Sequence, residues 1–171
     1  MQYAHMCIKF VWHRYINDCM SRPKNNRIVH EPPIFTEFKP TGVSAKSLKK
    51  VLLTIDEFEA IRLADFINMS HEEAAEEMEI SRSTFSRLIE KSRKKMAEFI
   101  FQGKMLTIDG GSVHFRRNIF QCYECGHTVN INIDFPIVEC PTCHSKELLN
   151  IAGKFGHGEC CRERNFKNHN L

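Results

Sequence analysis

Apolar positions recur at helical spacing from Thr54 to Gln102 and at strand spacing beyond Gly111. After Thr54, the residues Phe58, Ile61, Leu63 and Phe66 fall near the three- and four-residue steps of an amphipathic helix. Thr54 with Glu57 fits a capping box, in which each side chain satisfies the other residue's free backbone N–H. Asn68 marks the stop. Ser70 with Glu73 forms a second capping box and leads a short helix with Ala74, Ala75 and Met78 inward. After Glu79-Ile80-Ser81 a long helix runs to about Gln102, with Phe85, Leu88, Ile89, Met96, Phe99 and Ile100 on one side and Gly103 ending it. Farther on, Val129, Ile131, Ile133 and Phe135 alternate with polar residues, as in a half-buried strand.

Ahead of the helices, residues 20–53 hold four of the six prolines, Pro23, Pro32, Pro33 and Pro40. Proline has no N–H to give a helix or an inner strand, so this stretch reads as an extended basic arm. Gly110-Gly111 reads as the boundary between two parts. The expected organisation is an N-terminal extension (1–19), a basic arm with a helix-turn-helix DNA-binding domain (20–110), a zinc ribbon (112–152) and a flexible tail (153–171). The expected fold class is a mainly α N-terminal helix-turn-helix domain followed by a small β zinc-ribbon domain.

Charge sharpens this division. The 171-residue chain has 24 Lys and Arg against 21 Asp and Glu, so its net charge is only +3. That small total hides strong segregation. Residues 20–50 carry seven bases against two acids, residues 54–79 nine acids against one base, and residues 81–104 seven bases against two acids. A basic helix therefore follows acidic ones.

Residues His71 to Glu90 fit the helix-turn-helix template. Small or apolar residues stand where two helices must cross closely: Ala74, Ala75, Met78, Ile80, Phe85 and Leu88. A larger side chain than Ala75 would push the second helix away. The exposed face of that helix offers Ser81, Arg82, Ser83, Ser86 and Arg87, side chains that hydrogen-bond base edges in a major groove. Lys91, Arg93, Lys94 and Lys95 follow and suit phosphates. Arg22, Lys24 and Arg27 of the arm suit a minor groove. An ordinary helical hairpin with a solvated basic face would show the same periodicity. The small residue at 75, the short turn and the change of charge sign favour DNA. The turn position that usually holds glycine is Glu79, and positive φ there would cost a non-glycine residue about 1 kcal/mol.

Four of the eight cysteines form two pairs, Cys122-Tyr-Glu-Cys125 and Cys140-Pro-Thr-Cys143. Each pair can grip one ion from a tight turn, and two grips complete a tetrahedron. Four thiolates leave no open position, so one structural zinc ion is expected. A single iron ion or a disulfide pair remains an alternative for the same pattern. Cys160 and Cys161, with His157, could bind a soft metal or sense oxidation, or could be spare thiols of a tail. Cys7 and Cys19 carry no motif.

The sequence lacks a nucleophile triad, a phosphate-cradling glycine loop and an open metal site, so it is not expected to be an enzyme. Asp56, Glu57 and Glu59 read as helix-start acids that complement the helix dipole. No run approaches the ~20 apolar residues of a membrane span, and a cytoplasmic location is expected.

These segments together resemble a known family. Met20-Ser-Arg-Pro-Lys24, Phe38-Lys-Pro-Thr-Gly42, Leu53 to Asp65, Ser70 to Met78, Ile80-Ser-Arg-Ser-Thr-Phe85 and the run from Cys122 to Cys143 match, in order and spacing, the family called domain of unknown function 134. The resemblance covers about residues 20–152. It implies a helix-turn-helix like that of the sigma-factor region that reads a promoter element. Residues 1–19 fall outside it, and Met20 stands where the family begins, which suggests a misassigned start codon upstream. The function expected is a sequence-specific, DNA-binding transcription regulator. The alternatives are a module that docks on RNA polymerase or another partner and, third, a metal or redox sensor. Double-stranded DNA is the main partner expected, with RNA polymerase in the alternative, and a homodimer would suit a helix-turn-helix protein.

Overall fold

Proline keeps the segment after Asn26 extended, and the structure pairs that extended chain into sheets. A computed structural model describes residues 26–132 and 137–156. The first strand, β1 (Arg27–Val29), lies parallel to β5 (Val113–Phe115). In a second sheet, β4 (Met105–Ile108) is central. The short β2 (Glu37–Phe38) runs antiparallel to one side of it and β3 (Lys50–Leu53) parallel to the other. In the third, β6 (Arg117–Cys122) is flanked antiparallel by β7 (Thr128–Asn132) and β8 (Leu148–Asn150).

Three α-helices lie between β3 and β4. The first, α1, spans Ile55–Ile61 and continues as one π-helical turn, Arg62–Phe66, where the Ile67 N–H reaches back to the Arg62 carbonyl at 2.9 Å. It ends at Asn68, which takes a left-handed φ of 65°. The second, α2 (His71–Glu77), starts from the expected capping box: Ser70 Oγ accepts the Glu73 N–H at 3.3 Å, and Glu73 Oε2 accepts the Ser70 N–H at 2.8 Å. Seven residues make too short a helix to persist alone, so caps and tertiary packing hold α2. The third, α3 (Arg82–Phe101), is 20 residues long and begins at the cap Ser81. Gly103, with φ 57°, turns the chain toward β4.

Two cores result. One fills the space between α1, α2 and α3 with Ala60, Leu63, Ala74, Ala75, Met78, Phe85, Leu88 and Ile89. Ala75 is 3% exposed and lies at the α2–α3 contact, where the sequence required a small residue. Full burial of Phe85 contributes about 2–3 kcal/mol. The other core places Val51, Leu53, Leu106 and Ile108 of the second sheet under α1 and the last half of α3, through Phe58, Met96 and Phe99. Ala152 and Phe155, which follow β8, close this same core.

The expectation of a mainly α N-terminal domain is overturned. Among the described residues there are three α-helices and eight strands in three sheets, and five of those strands precede Arg117. The chain has a mixed α and β architecture. The missed strands have two to four residues, too few for alternation to register, and the prolines suggested a free arm where strands actually form. The strand expected through Ile133 and Phe135 is present as β7, and those two residues lie outside the described ones.

Candidate nucleic-acid interface and four-cysteine centre

The head of α3 is built by its own polar residues. Ser81 Oγ accepts the Thr84 N–H at 3.2 Å and lies 3.1 Å from Ser83 Oγ and 2.8 Å from Thr84 Oγ1. Ser86 Oγ is 3.1 Å from His71 Nδ1, whose ring meets Phe85 edge-on at 5.4 Å. This contact locks α2 against α3. Arg82, Ser83 and Arg87 are exposed. Among the described residues, no hydrogen bond or ion pair engages Arg82, Arg87 or Lys94, so their charges face outward uncommitted.

The turn that presents this helix is Met78-Glu79-Ile80. Glu79 has φ 53°, in the left-handed region that favours glycine. The turn is tied to a network of charges. His30 Nδ1 lies 2.9 Å from Oε1 of the fully buried Glu59, and its Nε2 lies 3.3 Å from Glu77 Oε2. Arg62 grips both oxygens of Glu59 at 2.7 Å, and Arg116 binds Glu77 at 2.7 Å while its other nitrogen lies 3.9 Å from Glu79. The Ile28 N–H also donates to the Met78 carbonyl at 3.2 Å. Sequence reasoning missed this network. Its one sequence signal is an acid, Glu59, at an inward helical position beside Ala60 and Leu63.

Three of the four expected phosphate contacts are engaged inside the protein. Lys91 and Lys95 reach the two carboxylate oxygens of Glu57 at 3.0 and 2.5 Å, and Arg93 forks onto Asp65 at its closest 2.6 Å. Burial pushes the Glu57 carboxyl up, but hydrogen bonds from Lys95, the Thr54 N–H and Lys91 outweigh it and hold it below the usual carboxylate range. Glu57 stands in the first turn of α1, as expected, and closes the capping box by accepting the Thr54 N–H at 2.9 Å, but it and Glu59 are also buried tethers. Lys94 alone of that set is exposed and uncommitted.

The arm contacts change in the same way. Arg22 and Lys24 lie outside the described residues. Arg27 Nη1 binds Asp56 Oδ2, and its backbone is held in β1, so from residue 27 the segment is no free arm. Asp56 also explains Gly111, where φ is 101° and a Cβ would lie 2.9 Å from Asp56 Oδ1. Between this Gly111 loop and the head of α3 runs a cleft of about 970 Å³, lined by Arg27, Asp56, Glu79, Ser81, Thr84, Arg87 and Lys91 among others.

The two cysteine pairs meet at the end of the third sheet. The Gly126 N–H donates to the Cys122 carbonyl at 3.0 Å and the His144 N–H to the Cys140 carbonyl at 2.9 Å, which curls each pair into a tight turn. Cys122 Sγ lies 3.5 Å from Cys143 Sγ and Cys125 Sγ 3.6 Å from Cys140 Sγ, and all four sulfurs lie within 4.8 Å of one another. These separations exceed a disulfide bond of about 2.05 Å. They approach the ~3.8 Å edge of a tetrahedron with metal–sulfur bonds near 2.3 Å. The four cysteines can hold one metal ion, and the set is compatible with zinc. The thiols perturb one another strongly. The Cys143 backbone N–H and its neighbours bring Cys140 down to about 6. The Ser145 N–H pulls Cys143 down, but Cys125, burial, Cys122 and Cys140 together push it up to about 12. A dication would remove that mutual repulsion by binding the thiolate forms. His127 and His144 are exposed, and His144 instead lies 3.3 Å from Glu139. His157, Cys160 and Cys161 lie outside the described residues, as do Cys7 and Cys19. Among the described residues, no helix is long and apolar enough to cross a membrane.

A family model described as "Protein of unknown function DUF134" matches residues 17–116. The chain is 42% identical over 145 residues to a UPF0251 protein of Chloroherpeton thalassium, covering 85% of this chain and 96% of that one. It is 39% identical over 145 residues to one of Chlorobaculum tepidum, covering 81% and 73%. A UPF0251 protein of Methanococcus vannielii is 32% identical over 147 residues, covering 86% and 94%. No solved structure matches.

Proposed function

The chain belongs to the DUF134 family of proteins of unknown function, and from that premise we propose that it is a sequence-specific double-stranded DNA-binding protein that regulates transcription. The observation that carries this reading is the head of α3. Arg82, Ser83 and Arg87 stand exposed on the second of two closely crossed helices, and both arginines lack an intramolecular partner among the described residues. A 20-residue helix is about 30 Å long, and its first three turns suit insertion into a major groove about 12 Å wide. Arg82 and Arg87 contact bases, with Ser81, Ser83 and Ser86 beside them. Lys94 contacts phosphate, and Lys91 joins it by exchanging Glu57 for the backbone. The four cysteines hold one structural zinc ion in a zinc ribbon.

Titrating the chain with duplex DNA while following its backbone amides tests this. The reading expects shifts clustered at residues 81–94, whereas shifts confined to the four-cysteine sheet would refute it.

A second reading has its own support. Glu72 and Glu76 of α2 and the aromatic Phe66 are exposed, Phe66 by 83%. These acidic and apolar groups suit a basic protein partner such as a surface of RNA polymerase. Duplex binding with steep salt dependence but without sequence preference would favour it.

A further inference from the structure

The uncommitted face of α3 carries one acid among its bases. At 100° per residue, Ser83, Arg87, Glu90 and Lys94 fall within about 60° of one another around the helix, and all four are exposed. Arg87 precedes Glu90 by one turn and Lys94 follows it by one turn. Arg93 feels its charge, but forks onto Asp65 instead. Among the described residues, no hydrogen bond or ion pair engages Glu90. A carboxylate there has the wrong sign for a phosphate backbone. Inside a major groove its complement is an exocyclic amino group, and Glu or Asp accepts from cytosine N4.

We propose that Glu90 determines specificity by accepting a hydrogen bond from a cytosine amino group. This rests on the reading of α3 as the helix that enters the major groove. The Arg87 guanidinium matches O6 and N7 of guanine. Three residues advance a helix by about 4.5 Å, and base pairs rise by about 3.4 Å. Arg87 and Glu90 therefore address neighbouring base pairs, a guanine and a cytosine. Glu90 also repels the backbone, and the acceptor edges, of any duplex that places no cytosine amino group there, so it acts against wrong sequences as well as for the right one.

Selection of bound sequences from a random duplex pool, with the full chain and with its Glu90→Gln and Glu90→Ala variants, tests the proposal. The unaltered chain fixes a C·G pair at one position. Glu90→Gln moves that position to A·T, because Gln bonds adenine at N6 and N7. Glu90→Ala leaves the position degenerate, with discrimination reduced by about fivefold or more, and binds random duplex more tightly. Variants that retain the same base at that position overturn the role of Glu90 while leaving the DNA reading intact. A pool in which the unaltered chain enriches no sequence overturns the DNA reading and this proposal with it.

Discussion

Lys95 Nζ lies 2.5 Å from Oε2 of Glu57, a carboxylate only 1% exposed. Lys91 takes the other oxygen at 3.0 Å. A cation that looks available to DNA in the sequence is thus a tether that fixes the direction of α3 across α1.

Removing this anchor is expected to loosen the helix. Glu57→Gln should lower stability by about 1.5–3 kcal/mol, the range for hydrogen bonds to charged groups. The pH dependence has a definite sign. The folded-state pKa of Glu57 is depressed, so its contribution is present above the unfolded value of about 4.3 and is lost as pH falls through the lower folded value. Thermal unfolding from pH 7 down to pH 3, in intact and variant chains, reads both effects. The variant should lose part of the acid-side slope, and parallel curves would remove Glu57 as the cause.

Lys94 and Lys95 are adjacent in sequence but differ in consequence. Lys94→Ala should leave the melting temperature nearly unchanged and reduce the salt slope of duplex binding by about one. Lys95→Ala should lower the melting temperature instead. Calorimetry together with binding isotherms at several salt concentrations separates them, and the reverse pattern would contradict the assignment of Lys95 as a tether.

The contrast shows what the sequence can carry. Helix starts were legible at Ser70 and Ser81 because capping is local chemistry between residues a few positions apart. The four-cysteine cluster was legible because Cys122 with Cys125, and Cys140 with Cys143, have the spacing of tight turns. The pairing of β1 with β5 joins residues more than 80 positions apart, and strands of three residues leave no periodic trace. The partners of Lys91, Arg93 and Lys95 depend on how α1 crosses α3, a tertiary relation that no spacing along the chain encodes.

Glu79 tests backbone strain directly. Its φ of 53° suits glycine, so Glu79→Gly should stabilise the chain by about 1 kcal/mol. The net gain is smaller if the contact with Arg116 at 3.9 Å matters. Pairing this substitution with Arg116→Ala in a double-mutant cycle measures how much of the change runs through that contact. Destabilisation by Glu79→Gly in both backgrounds would contradict strain as the dominant effect at this turn.

Metal removal should reach beyond the cysteines. After Cys143 the chain forms β8, and Ala152 and Phe155 then seal the core beneath α3, with Ala152 fully buried. The Ala152 N–H donates to Asn118 Oδ1 at 3.2 Å, and Phe155 packs 6.2 Å from Phe115. A strong chelator, or Cys140→Ser, is expected to release one zinc ion per chain and lower the melting temperature. It should also speed amide exchange at residues 151–155. Bound iron, or no metal at all, would contradict the zinc assignment. Exchange confined to residues 122–145 would contradict the coupling to the core.

On the proposed function, the head of α3 reads base sequence. The most direct measurement compares the binding of a selected duplex and of a scrambled duplex by the intact chain, Arg87→Ala and Lys94→Ala. Arg87→Ala should weaken binding to the selected duplex by about 1–3 kcal/mol and relax one base position, while Lys94→Ala weakens both duplexes alike. Equal losses from both variants on both duplexes would contradict it.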